Sequence, residues 1–272
     1  HSITIKNWKL NLFLILILHC QHLIYAQTIK APVISYYNSD VPLKSIFNKF
    51  EIISLDIDQI KSSLNHRTVH QKLEIQLGSK HWNLDLFEYD LIKADYQLRI
   101  GTDEGIIIKP KSGNIKTYRI SNQNSAGEMG SLTISDHFFY GFVIDGNERY
   151  FFEPLSGIDS SCTLDYLIVY KESDVKQNGN LMCGSKELKD KTPIINANTF
   201  QNRGTCVAFD VALANDFTVF TFRGDVPKTE AWCTGVLANV QTNYDNEFTV
   251  GIELNVSTIF IATSSASDPW NG

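Results

Sequence analysis

In this 272-residue chain, the side chains that could do chemistry are few and scattered. His66 and His70 stand four residues apart, the spacing that puts two imidazoles on one face of a zinc helix. A zinc hydrolase built that way needs a Glu directly after the first His as general base, and Arg67 stands there, so the pair reads as surface histidines. No Gly-x-Ser-x-Gly elbow presents a nucleophilic serine, and no Gly-rich loop could cradle a phosphate. The informative segment is Asn178-Gly179-Asn180-Leu181-Met182-Cys183-Gly184-Ser185. A thiol on an exposed, glycine-flanked stretch just ahead of a new domain can reach into that domain, and a thiolate is a strong fourth ligand for zinc. Beyond residue 26 the cysteines are Cys162, Cys183, Cys206 and Cys233. Local bridges Cys162–Cys183 and Cys206–Cys233 would use all four, whereas a zinc ligand requires Cys183 free; four cysteines allow three pairings and their spacing does not choose among them.

The compartment is read from the N-terminus. Lys6 and Lys9 precede an apolar run from Leu10 to Leu18, and a short polar stretch leads to Ile24-Tyr25-Ala26, ending in a small residue. That pattern is a secretory signal peptide with cleavage between Ala26 and Gln27, and it implies a secreted chain in which disulfides are permitted. The apolar run is far short of the roughly 20 residues of a spanning helix, so no stable membrane insertion is expected. His19 before Cys20 argues against a lipid attachment signal. The chain opens with His1 rather than Met and reads as a piece of a longer reading frame.

Composition narrows the partners. With 43% hydrophobic and 20% charged residues the chain is neither disordered nor fibrous. Its net charge is −6, and removal of residues 1–26 takes away two Lys and no acids. Lys and Arg form no stripe, so nucleic acid is not an expected partner; proteins or small molecules are.

The elements that must position these residues show two periods. Residues 27–70 mix apolar and polar residues and read as an N-terminal extension with some helix. From Leu73 the period is two: Leu73, Ile75 and Leu77, then Leu84 and Leu86, then Leu132 and Ile134, then Glu148–Phe152 after the turn Asp145-Gly146-Asn147. These short strands predict an antiparallel β domain over 71–170. Residues 171–203, rich in Lys, Asp, Asn, Gly and Ser, read as an exposed linker. Over 204–272 the pattern becomes strand, helix, strand: Val207, Phe209, Val211 and Leu213 alternate, Asp225 and Pro227 open a helix carrying Trp232, Val236, Leu237, Val240 and Tyr244, and Ile252–Ile261 forms another strand. Such a unit predicts a parallel pair and the truncated start of an α/β domain, giving an α+β chain overall.

Met182-Cys183-Gly184 resembles the cysteine switch of metalloprotease prodomains, matching the core found in the adamalysin/reprolysin family. Three further stretches, Phe209–Phe217, Val236–Phe248 and Asp268-Pro269-Trp270, resemble the opening of a reprolysin-like metzincin catalytic domain of bacterial secreted type. Thr117-Tyr118, Gly130–Ile134 and Tyr140–Ile144 through Glu153-Pro154-Leu155 resemble the family's propeptide. The resemblance covers roughly residues 70–272. It implies a zinc metalloendopeptidase precursor that acts on protein substrates and whose prodomain holds its own catalytic domain latent, with Cys183 as the inhibitory zinc ligand. The family's HExxHxxGxxH zinc motif is not in these residues and is expected beyond Gly272, so the chain alone should be inactive and no catalytic residue is assigned in it. The resemblance further implies a calcium ion held in part by Asp210, for which an ion pair with a nearby Lys or Arg is the alternative. Activation would cut between Gly184 and Gly204, where Lys186, Lys189, Lys191 and Arg203 lie. A different class of reading stays open: a secreted, non-catalytic β-sandwich binding or adhesion module.

Overall fold

A computed structural model describes residues 27–35, 37–38, 40–64, 70–121, 128–162, 165–176, 207–248 and 251–270. In chain order the elements are β1 (Gln27–Lys30), α1 (Leu43–Ile46), β2 (Glu51–Ser54), α2 (Ile57–Leu64), β3 (His70–Leu77), β4 (Lys80–Tyr89), β5 (Ile92–Thr102), β6 (Gly105–Lys109), β7 (Lys116–Ser121), β8 (Glu128–Ser135), β9 (Phe138–Asp145), β10 (Glu148–Pro154), β11 (Tyr166–Lys171), β12 (Val207–Asn215), α3 (Phe217–Arg223), α4 (Val226–Glu247) and β13 (Ile252–Ala262).

The alternating residues do what their period demands. Leu73, Ile75 and Leu77 on β3, Leu84 and Leu86 on β4, Leu132 and Ile134 on β8, and Phe152 on β10 all turn to one side and are buried. They line the inside of a curled nine-stranded sheet in the order β1-β3-β4-β7-β8-β9-β10-β11-β2. Helix α2 fills the curl with Ile57, Ile60 and Leu64. The chain after β1 closes the curl: Ala31 N–H donates to Gln76 C=O, while Ile34 N–H reaches Ile52 C=O on the far edge strand. That segment also covers the outer side of β2, where Ser54 N–H donates to the Pro32 carbonyl.

A second sheet has the order β12-β13-β5-β6. Strands β12, β13 and β5 run parallel, and β6 folds back antiparallel on β5 through the two-residue turn Asp103-Glu104. The 22-residue helix α4 lies between the two sheets. Cys233, Leu237 and Ala238 face Leu98, Val256, Ile259 and Ile261 of the small sheet, while Ala231, Trp232 and Val236 face Phe138 and Tyr140 on the outer side of the large one. A helix buried on two sides cannot show a clean apolar stripe, and this one buries Thr229, Glu230, Thr234, Gln241 and Thr242 beside its apolar residues.

This arrangement corrects the fold class predicted from sequence. The structure is β-dominant and mostly antiparallel, with eight of eleven strand pairings antiparallel, rather than α+β with a separate metzincin-type unit at its end. The strand–helix–strand unit forms, and β12 and β13 are parallel as its connection requires. It does not stand as an α/β layer of its own, because β13 takes β5 as its other neighbour, a strand contributed from more than 150 residues earlier. Period-two alternation identifies a strand but does not say which sheet it joins.

Candidate functional site

The groups with most chemical character gather along α4. Asp225 caps the helix by accepting the Lys228 N–H at 2.7 Å, and Pro227 sits in the first turn where its missing N–H costs nothing. One turn on, Glu230 has no exposed surface. Its carboxylate accepts the Tyr96 hydroxyl of β5 at 2.7 Å and the Ser112 backbone N–H at 3.0 Å, with the Ser112 hydroxyl donating as well. Burial pushes the Glu230 carboxyl above the usual carboxylate range, and the hydrogen bond from Tyr96 opposes that shift; burial also raises Tyr96.

At the next turn Cys233 meets Asn215, the last residue of β12. The Asn215 amide donates to Cys233 Sγ at 3.0 Å and to the Phe260 carbonyl at 3.2 Å. Burial pushes the Cys233 thiol up to about 12, so it is no nucleophile at neutral pH. Further along, Gln241 fastens the start of β13: its amide nitrogen donates to the Ile252 carbonyl at 2.6 Å, and its oxygen accepts the Leu254 N–H at 2.7 Å. On the opposite side Gly235 lies against the Tyr140 ring, where an added Cβ would come within 2.6 Å of Cδ1. Ser131 on β8 donates to Asn239 at 2.5 Å.

A second charged group sits where α3 meets the large sheet. The Arg223 guanidinium lies 4.3 Å from the Trp232 ring centroid. Glu153 of β10 accepts the Tyr170 hydroxyl at 2.8 Å. Burial raises the Glu153 carboxyl and lowers the Arg223 guanidinium, and each charge partly offsets the other's shift.

In these clusters the Ser112 hydroxyl donates to Glu230, and the Cys233 thiol is buried with its pKa raised. The contacts of Glu230 with Tyr96 and Ser112, of Asn239 with Ser131 and of Gly235 with Tyr140 join α4 to the earlier part of the chain, while those of Cys233 and Gln241 fasten α4 to β12 and β13. The open face of the small sheet carries a shallow cavity of about 670 Å³ lined by Arg99, Gly101, Ile106, Phe260, Pro269 and Trp270. Gly101 is required there, since a Cβ would stand 2.9 Å from Phe260 Cζ. Asp268 of the Asp-Pro-Trp stretch accepts the Phe217 N–H at the start of α3 at 3.0 Å and the Trp270 N–H at 2.9 Å. That acid is an anchor for local backbone.

The residues singled out by sequence fall partly inside and partly outside the described residues. Ala26, Cys183 and Cys206 lie outside the described residues, as does His66, and Gln27 opens β1. Gly272, beyond which the catalytic zinc motif is expected, also lies outside them, and the described chain runs to Trp270. His70 begins strand β3 rather than continuing a helix. Cys162 is buried in a small core with Leu43, Phe47 and Leu155, hydrogen-bonded with Tyr37. Cys233 faces the Asn215 end of β12. No disulfide joins Cys162 to Cys233. Asp210 is paired with Lys93 at 2.9 Å and exposed. Among the described residues no three His, Cys, Asp or Glu side chains come together as metal ligands, so neither zinc nor calcium finds a fitting ligand set there. Sequence reasoning missed Glu230, Tyr96, Ser112, Gln241 and Arg223. Only a charged residue amid the small and apolar ones of α4 hinted at Glu230, and nothing in the spacing pointed to its partners.

No family model matches the chain, and no curated protein matches it. Among solved structures it is similar to metalloproteinase-II from Bacteroides fragilis, with 9% identity and a TM-score of 0.36, over 76% of this chain and 56% of that one. The chain thus spans a little over half the length of that protein, and the likeness is too slight to establish a shared fold.

Proposed function

We propose that the chain is part of a secreted zinc metalloendopeptidase precursor, in which residues 27–176 serve as a prosegment that folds with and restrains the start of the catalytic domain from residue 207. The order of signal peptide, β-rich segment, Met182-Cys183-Gly184 and strand–helix–strand supports the reading. The observation that carries it is the shared sheet: β5 and β6 extend the β12–β13 pair, and Tyr96 and Ser112 hold the buried Glu230 of the helix that would back the catalytic domain. A prosegment that contributes strands to its client's sheet lets that sheet bury surface it could not bury alone, which is how an intramolecular folding aid works.

In this reading Cys183 supplies the inhibitory thiolate to a zinc ion whose HExxHxxGxxH ligands are not among these 272 residues. The test is latency of the full-length precursor. Cys183→Ala is expected to hydrolyse peptide before any processing, whereas a variant as latent as the unsubstituted precursor would remove the switch. Cleavage between Gly184 and Gly204 would separate the two parts covalently, and N-terminal sequencing of the secreted product should find its start there. A start upstream of Cys162 would refute the assignment.

A further inference from the structure

Strand β6 ends the small sheet and is open along its outer edge among the described residues. Its three central residues are consecutive isoleucines, Ile106, Ile107 and Ile108, exposed by 55%, 47% and 57%. A long apolar edge is a template for strand pairing; here Lys109 ends the strand and Pro110 follows it, while no proline, charge or bulge interrupts the four residues Gly105–Ile108. The flanks are charged and of opposite sign: Asp103 and Glu104 precede the isoleucines, and Lys109 and Lys111 follow them.

We infer that β6 pairs antiparallel with β6 of a second copy of this chain about a two-fold axis through Ile107. The charge order selects both partner and direction. Reversing the segment onto itself sets Ile106 opposite Ile108, Gly105 opposite Lys109, Glu104 opposite Pro110 and Asp103 opposite Lys111, so the Asp103 carboxylate of each copy faces the Lys111 ammonium of the other. Parallel pairing would instead set acid against acid and lysine against lysine, which opposes association. An isologous contact of this kind is closed and stops at two copies.

The backbone is oriented for it. In a two-residue hairpin the pair flanking the turn, here Thr102 and Gly105, is hydrogen-bonded, so by alternation Ile106 and Ile108 turn their N–H and C=O groups to the outer edge. Those are the two positions that face each other across the axis, and they would exchange backbone hydrogen bonds in both directions. Ile106 and Ile108 lie on the same face as the cavity over Phe260 and Trp270, so pairing would join the apolar faces of two small sheets into one. The partner is therefore a second copy, and the product is a continuous eight-stranded sheet.

Sedimentation velocity of the chain from residue 27 should show a dimer. Ile108→Pro removes an outward N–H without touching the β5 ladder and should give a monomer with an unchanged near-ultraviolet spectrum. Asp103→Lys and Lys111→Asp should each raise the dimer dissociation constant several-fold, and the double substitution should restore it, a rescue that damage to folding would not produce. Register is read by cross-linking. Ile107→Cys faces itself at the roughly 4.5 Å Cα separation of a non-hydrogen-bonded pair and should form an intermolecular disulfide on oxidation, whereas Ile106→Cys should not. A monomer throughout a concentration series into the high-micromolar range, or a dimer that survives Ile108→Pro unchanged, would overturn the inference.

Discussion

Glu230 is a carboxylate with no exposed surface, held by donors that lie more than a hundred residues earlier in the chain. Burial raises its pKa above the ordinary value of 4.5, so the fold holds the proton more tightly than the unfolded chain does. Stability contributed at this residue is therefore greatest at low pH and falls as pH rises from the ordinary Glu range through the folded pKa. Glu230→Gln keeps an acceptor and stays neutral; urea titrations across pH should show it gaining on the unsubstituted chain as pH rises above that range. Glu230→Leu leaves the Tyr96 hydroxyl and the Ser112 N–H without their acceptor, and should cost about 2–6 kcal/mol on the scale of roughly 1–3 kcal/mol per orphaned group. The same burial makes Cys233 inert. Iodoacetamide at about pH 8, below the raised thiol pKa, followed by peptide mass spectrometry, should leave Cys233 unmodified in the native chain and alkylate it in guanidinium; labelling of native Cys233 would contradict the buried Asn215 contact. Neither residue was legible as functional in the sequence, because an isolated Glu or Cys on a helix carries no mark of what a distant strand will place against it.

Among the elements, strands that cover one face with a period of two were legible, and so was the helix opened by Asp225 and Pro227. What was not legible was partnership. The sequence pattern puts Ile92–Thr102 within the antiparallel β domain, and it instead runs parallel beside β13. Glycines of the propeptide-like stretches acquire a physical reason at this scale. Gly130 on β8 and Gly141 on β9 sit at φ +146° and +151°, and a Cβ on either would lie 2.0 Å from a carbonyl oxygen of the facing strand. Gly141→Ala is expected to lower Tm sharply or abolish folding, because backbone rather than a flexible side chain would have to move, whereas Gly146→Ala in the neighbouring turn meets no atom within 4 Å and should cost only the strain of its positive φ. Thermal unfolding followed by circular dichroism compares the two; equal losses would show that the β8–β9 approach is less close than described.

At the scale of the whole molecule, the large sheet, α4 and the small sheet form three layers, and the chain passes between the two sheets three times. Cutting between residues 184 and 204 would break one covalent connection and leave the β5–β13 pairing, the Glu230 contacts and the packing of Trp232 and Val236 on Phe138 and Tyr140 intact. Limited trypsin treatment that cleaves there should therefore yield two fragments that co-elute on size exclusion and separate only in denaturant; free release of the N-terminal fragment in native buffer would refute a shared sheet. The resemblance to metzincin precursors rests on short stretches of residues, and the interlocked layers are what a restraining prosegment would need. The central claim is tested most directly by assaying the full-length gene product for peptide hydrolysis, after cleavage between Gly184 and Gly204, with and without a zinc chelator. Hydrolysis that the chelator abolishes and added zinc restores is the expected result; a cleaved, folded product that hydrolyses no peptide in zinc would contradict the account and leave a non-catalytic β-rich binding module in its place.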